Sequence, residues 1–490
     1  MKRNIIPGVA IASRHPLGMK CDTDAVYARF ASELADLLER QDVEGFEGSN
    51  VKELAIILTM YYEDVLSEIG VWKAFTDKMQ ELYGRYLPFF DVDEAHYYRD
   101  EPNVEDVRFL MWLLISRSEP GSLVSPDTLA LKDAAEAVYE LMDRRFEEMP
   151  VNVQFKEFFS DSQCMDKFFS QRDLMKWFFF SNYLTANPQA MDIVMRQATT
   201  FSQNMKCSVN VAMFIAECVS VYEQRVQPLA VRAQEWLAMV LRHNGRDEDA
   251  DRVAAQRYLP FDFYKVVAAE KGKGMTFESI GGEQFFVSDD DLANPSDECY
   301  TCKVVMSAFV EFGGRFILAT ESSWGKDTKA FDVERENRQA SKNLCMDTRK
   351  TLIEENDGSP LIYFKDTEAL KQFLVNRIGL PARTVAVMKF PEVATSYTVF
   401  VSEKDYNISF FPGVERFIKE PRNPYYDSVY AKTNTLGDLF ALPGEMVRYL
   451  IEHDMMPEAN IYCAGGEMAG RKILHDNFDF IARMVMGNAY

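Results

Sequence analysis

The spacing of apolar positions divides this chain into a helical part and a strand-rich part. Residues 1–20 read as an extended arm with turns at Pro7-Gly8 and Pro16-Leu17-Gly18. From Asp22 to Gln41, Val26, Phe30, Leu34, Leu37 and Leu38 recur at steps of three and four, the signature of a helix with one buried face. Asn50, three residues before Glu53, offers a reciprocal cap for the next helix. Helical spacing then runs through Val51–Phe90 with a break near Gly70. It continues in Val104–Ser116, Asp127–Glu148, Val153–Phe159, Met165–Leu184, Ala190–Ser202 and Val209–Arg242, the last split around Pro228. Trp177-Phe178-Phe179-Phe180 is apolar on all sides, as in a helix buried among helices.

The pattern changes at Lys271-Gly272-Lys273-Gly274, where charge and glycine mark a boundary. Thr276–Val287 alternates as a strand pair around Gly281-Gly282. Cys302–Phe312 and Arg315–Ser322 are nearly continuous apolar runs meeting at Gly313-Gly314, a hairpin signal in the middle of a covered sheet. Lys329–Glu355 reads as one long polar helix. Leu361–Phe364 is a strand, and Asp366–Ile378 a helix closed by Gly379. Thr384–Phe390, Tyr397–Glu403 and Tyr406–Phe411 read as strands, Pro443–His453 as a helix, Asn460–Cys463 as a strand, with a last helix from Arg471. βαβ alternation is mostly missing. The expected fold is therefore α+β: a helical domain over residues 1–270, then a domain over 271–490 built on a mainly antiparallel sheet, with its central hairpin near 300–324.

Composition narrows the classes. A chain of 490 residues with 47% hydrophobic and 13% aromatic residues supports two domains with packed cores. The net charge of −22 repels phosphate backbones and anionic lipid, so neither nucleic acid nor a membrane surface is an expected partner; another protein is. No run of eighteen apolar residues is present. The start, MKRNIIPGVAIAS, mimics an export signal, but Pro7-Gly8 interrupts its short apolar run. Eight scattered cysteines suit a reducing cytoplasm better than a disulfide framework.

Four stretches carry a likeness to a known group: MYYEDVLSEIGVWKAF from Met60, LYGRYLPFF from Leu82, IKEPRNPYYD from Ile418 and GRKILHDNFDF from Gly470. In texture the chain resembles an uncharacterised family of Bacteroidetes proteins with no established function. The resemblance implies a shared architecture and no chemistry.

Motifs that could carry chemistry are few, and each has a plainer reading. Cys299 and Cys302 form a CxxC whose thiolates could share a metal, with Cys345, Cys463, His453 or His475 as further ligands; the pair leads into a strand, and chance spacing is the plainer reading. From Cys463 to Lys472 the glycines Gly465, Gly466 and Gly470 precede Arg471 and Lys472 at a helix start. Arg471 stands where a phosphate loop has lysine, so a nucleoside triphosphatase is not expected. An anion held by backbone amides remains open beside a simple tight turn. Asp91, Asp93, Glu94 and His96, with Glu63 and Asp64 upstream, mix carboxylate and imidazole, yet no Glu-x-x-His occurs, and a solvated acidic loop is the plainer reading. The aromatic stretch Tyr61–Tyr98 reads as core before sugar platform. Glu334-Arg335-Glu336 breaks the nuclease pattern, and no G-x-S-x-G elbow exists. No cofactor is expected. The function expected from these absences is non-catalytic binding or scaffolding; the alternative is a hydrolase with a carboxylate or metal site in the C-terminal half.

Overall fold

The computed structural model describes residues 4–490 except 42–48, 93–94, 119–123, 162–164, 187–188, 294, 392–395, 403–406, 434–438 and 456–465. It divides into two compact units, Met1–Phe331 and Asp332–Tyr490.

The first unit begins with helices: α1 (Gly8–Ala12), α2 (Asp24–Gln41), α3 (Ser49–Ser67), α4 (Val71–Tyr83), α5 (Val104–Ser118), α6 (Leu129–Arg145), α7 (Val153–Ser160), α8 (Phe168–Phe180), α9 (Ala190–Met205) and α10 (Val209–Glu223). A pair of two-residue strands, β1 (Arg225–Val226) and β2 (Val231–Arg232), flanks Pro228 before α11 (Ala233–His243) and α12 (Asp247–Ala254). The expected helical region thus contains a small antiparallel pair. The N-terminal arm also differs from the extended reading: Gly8–Ala12 is helical, and Ile11 and His15 are buried within the unit. A five-residue helix is too short to show an apolar period. The break at Gly70 is where expected, with φ at 100°, a backbone state open to glycine.

Helix α3 is apolar nearly all round and sits at the centre of the bundle, its residues Leu54 to Val65 buried almost without interruption. The unit closes with an antiparallel sheet in the order β5-β4-β3-β6-β7, made of β3 (Tyr258–Glu270), β4 (Gly274–Ser279), β5 (Gln284–Ser288), β6 (Val304–Phe312) and β7 (Arg315–Leu318). A further strand, β8 (Ser323–Gly325), pairs with β6. Strand β6 pairs on both sides, and Gly313 and Gly314 turn the hairpin with φ of 57° and 75°. Tyr264, Phe277, Phe285 and Phe309 interlock on its buried face. Lys271–Gly274, where the boundary is expected, forms the turn between β3 and β4. Strand β3 starts at Tyr258 inside the stretch expected to be helical, because its polar outer residues hide a register that only pairing with β6 defines.

In the second unit, α13 (Lys329–Glu355), which begins just before the division, leads to an antiparallel sheet ordered β11-β10-β9. Its strands are β9 (Leu361–Phe364), β10 (Tyr397–Val401) and β11 (Ile408–Pro412), covered by α14 (Thr367–Asn376) and α15 (Ala382–Val387). Leu370, Leu374, Val385, Tyr397 and Val399 form the core. Thr384–Phe390, read as a strand from its β-branched residues, is mostly helical: Pro381 caps the turn, and Val385 must face inward. Helices α16 (Ser428–Thr433), α17 (Gly444–Glu452), α18 (Glu467–Asp476) and α19 (Phe478–Met486) complete the chain. The strand expected at Asn460–Cys463 lies outside the described residues. The fold is α+β, and no helix among the described residues is long and apolar enough to cross a membrane.

Gly274 supplies a stability test. Its φ is 142°, and a Cβ there would stand 2.2 Å from the Val287 carbonyl oxygen, whereas Gly272, at φ 85°, faces open space. Gly274→Ala should cost about 3 kcal/mol in urea unfolding through backbone displacement. Gly272→Ala should cost about 1 kcal/mol from its backbone state alone. Equal costs would contradict the close approach.

A basic cavity beside a buried polar network

One turn of α3 points four consecutive side chains in four directions, about 100° apart. The Tyr61 hydroxyl donates to Asp106 Oδ2 on α5 at 2.6 Å. The Tyr62 hydroxyl donates to the Met142 carbonyl on α6 at 2.6 Å. Glu63 accepts from His15 Nε2 at 2.9 Å and from Asn152 Nδ2, at the start of α7, at 2.7 Å. Asp64 accepts from the backbone N–H of Gly70, Val71 and Trp72 at 2.8, 3.2 and 2.6 Å, which caps α4, and from the Tyr183 hydroxyl at 2.7 Å.

These carboxylates are fully buried. Burial raises the pKa of Asp64, against the four hydrogen bonds that favour its charge. Burial likewise pushes Asp106 up to about 7, opposed by hydrogen bonds from Tyr61, Tyr97, Asn103 and Trp72. Burial works against charge on His15, but hydrogen bonds to Cys21 and Glu63 and the Glu63 charge prevail and raise its pKa to about 10. His15 Nδ1 also lies 3.0 Å from the Met19 carbonyl oxygen and 3.7 Å from Cys21 Sγ. Among the described residues, His15, Cys21 and Asp24 form the one group of three potential metal ligands whose atoms lie within 4.8 Å of one another.

Beside this network lies a cavity of about 570 Å³. Ile57, Leu114, Phe180, Ala190 and Met191 form its apolar wall, and Arg14, Arg117, Lys176 and Asn182 its donor-bearing wall. Tyr183, which also lines it, is the residue that donates to Asp64, so cavity and network share a side chain. Arg14 pairs with both carboxylate oxygens of Glu53, at 2.6 and 2.7 Å. Lys176 lies 3.3 Å from Glu217. Arg117 differs: it donates to Gln227 Oε1 and to the Leu184 carbonyl, at 2.6 and 2.5 Å, and has no carboxylate partner among the described residues. Desolvation lowers its pKa to about 9, which leaves it charged at neutral pH. Asn182 is fully buried; its Oδ1 accepts from Leu184 and Thr185 N–H, and its Nδ2 has no hydrogen-bond partner among the described residues. Among the described residues, the cavity therefore presents a cation without a carboxylate partner next to apolar surface, with the buried Asn182 amide in its wall.

The sequence-derived candidates lie elsewhere. Cys299 opens a single 3₁₀ turn before β6, with its Sγ 3.4 Å from Ser296 Oγ. The Cys302 thiol donates to the Glu298 carbonyl, and burial raises its pKa. Neither joins a group of three potential ligands among the described residues. Gly466 precedes α18 with φ at 80°, Gly470 is buried, and Gly465 lies outside the described residues. Arg471 pairs with Glu467 and Lys472 with Asp476, each at 2.5 Å along the helix. Asp93 and Glu94 also lie outside the described residues. Glu63 and Asp64, read with that acidic loop, are buried at the bundle centre instead. Tyr61, Tyr62, Trp72 and Phe75 are core, in keeping with the plainer aromatic reading.

Arg117, Asn182 and Arg14 carried no sequence signal. Arg117 and Leu184 meet across 67 residues, and no local spacing marks such a contact. His15 was visible as one of five histidines, without its partners.

Residues 10–262 and 308–487 match the family described as "Protein of unknown function (DUF3843)", a span that includes all four stretches of the resemblance. No curated protein and no solved structure matches the chain.

Asp106 makes the network testable by pH. Its folded pKa of about 7 exceeds the unfolded value, so between about pH 4 and 7 the folded chain keeps a proton that the unfolded chain has lost. Its contribution to stability is present below pH 4 and falls as pH rises to 7. In urea melts across that range, wild type should lose stability relative to Asp106→Asn with a slope approaching about 1.4 kcal/mol per pH unit. Parallel curves would contradict this environment.

Proposed function

We propose that this chain, which belongs to that family of proteins of unknown function, is a binding protein whose N-terminal unit takes a small molecule with an anionic head and an apolar body. The observation that carries this reading is Arg117, charged and without a carboxylate partner among the described residues, on the same cavity as the unpaired Asn182 amide. A partly buried cation without a counter-charge costs free energy, and an anion entering the cavity recovers it. A carboxylate or phosphate accepts from the guanidinium and the amide together. Ile57, Leu114 and Phe180 would cover the apolar remainder.

Binding is favoured over catalysis by the composition of the wall. Its described residues include no histidine, cysteine, serine or threonine, and its two glutamates, Glu53 and Glu217, are engaged by Arg14 and Lys176. A small anion thus takes the place of the protein partner expected from the sequence. The cytoplasm is the proposed location, in keeping with the free thiols of Cys21, Cys207, Cys218, Cys299 and Cys302.

The test is a panel of aliphatic and aromatic carboxylates and organic phosphates, followed by thermal denaturation and calorimetry. At least one should raise the unfolding midpoint. Arg117→Met, which keeps the apolar stem, and Asn182→Ala should each weaken that ligand at least tenfold, about 1.4 kcal/mol. No stabilising anion in the panel, or equal affinity in both variants, would overturn the reading.

A further inference from the structure

We propose that His15, Cys21 and Asp24 form a zinc site that ties the N-terminal segment to the bundle. The inference stands apart from the cavity and its ligand. Three ligand atoms of different chemistry converge: His15 Nδ1 lies 3.7 Å from Cys21 Sγ and 3.6 Å from Asp24 Oδ1, and all three lie within 4.8 Å of one another. A tetrahedral zinc with bonds of about 2.0 Å to nitrogen, 2.1 Å to oxygen and 2.3 Å to sulfur sets its ligands about 3.3 Å (N to O) and about 3.5 Å (N to S) apart. The two distances from Nδ1 are already close to those edges. A sulfur, a nitrogen and a carboxylate oxygen form a donor set suited to zinc over calcium or magnesium.

A second observation points to a ligand. Asp24 Oδ2 accepts from the Cys21 N–H at 3.0 Å, but Oδ1 is buried and accepts no hydrogen bond among the described residues, with the His15 ring as its ion-pair partner at 3.6 Å, beyond hydrogen-bond length. A buried carboxylate oxygen left without a donor is costly, and a cation between it, the imidazole and the thiolate removes that cost. The surroundings of His15 match what a metal-bound histidine needs. Its far nitrogen, Nε2, is held 2.9 Å from Glu63 Oε2, and Glu63 is itself fixed by Asn152. A carboxylate on the remote ring nitrogen orients the imidazole and leaves Nδ1 to the metal. On binding, the Cys21 thiol and the Nδ1–H of the charged His15 ring each give up a proton to solvent, so the metal takes a thiolate and a neutral imidazole. Water or the Met19 carbonyl oxygen, 3.0 Å from Nδ1, completes the coordination.

The full chain, purified without an affinity tag and loaded with Zn²⁺, is the material for the test. Elemental analysis should find about one zinc per chain. Cys21→Ser, His15→Gln and Asp24→Asn, checked for folding by circular dichroism, should each raise the dissociation constant at least tenfold, and Cys302→Ser should leave it unchanged. Glu63→Gln, altering a positioning residue, should weaken zinc by roughly 10- to 100-fold. Cobalt replacement gives a readout that needs no variant: wild type should show thiolate-to-cobalt charge transfer and the intense d–d bands of a tetrahedral ion. Zinc far below one per chain after loading, absence of the charge-transfer band, or loss of metal through Cys302→Ser alone would overturn the proposal.

Discussion

Two adjacent carboxylates in the middle of a buried helix, Glu63 and Asp64, set the terms for the first unit. A carboxylate without water must be met by donors, or its burial cost undermines the fold. Here few donors come from fixed cations. Asp64 takes three backbone N–H groups and a tyrosine hydroxyl, and Glu63 takes an imidazole and an amide. The donors come from four separate parts of the chain. Meeting the demand therefore fixes the N-terminal segment, α4, the start of α7 and the loop after α8 around a single turn of α3. Tyr61 and Tyr62 extend the same turn to α5 and α6.

That arrangement explains why the cavity lies where it does. Tyr183 is drawn inward by Asp64, and the adjacent Asn182 turns its carbonyl oxygen to the backbone of Leu184 and Thr185. The Asn182 amide and the Arg117 guanidinium, which holds the Leu184 carbonyl, are left on the cavity wall. Arg14 joins the same wall, its own carbonyl accepting from Trp177 Nε1 at 2.7 Å and its neighbour His15 held by Glu63. The polar network thus positions the cavity wall, and of the network residues named above Tyr183 alone lines the cavity.

Much of the element map was legible because period and punctuation agree with tertiary demand. Gly313-Gly314 turns the hairpin it announces, and the long polar run at Lys329–Glu355 is one helix. Legibility failed where local preference and packing part company. β-branched Thr384 and Val385 sit in a short helix after Pro381, and Tyr258–Glu270 becomes a strand only through its partners on both sides. Of the site, YYED stood out as texture, but its meaning depends on donors at His15, Asn152 and Tyr183. The distances along the chain, 48, 89 and 119 residues, hide those pairings from any motif.

The most direct measurement is hydrogen–deuterium exchange of Asp64→Asn against wild type. The change keeps side-chain volume but turns one acceptor oxygen into a donor that faces donors. If Asp64 holds separate elements together, protection should fall at Gly70–Trp72 and, in the same experiment, at residues 182–186 on the cavity wall. A loss confined to Gly70–Trp72, with 182–186 unchanged, would reduce Asp64 to a local helix cap and contradict the account.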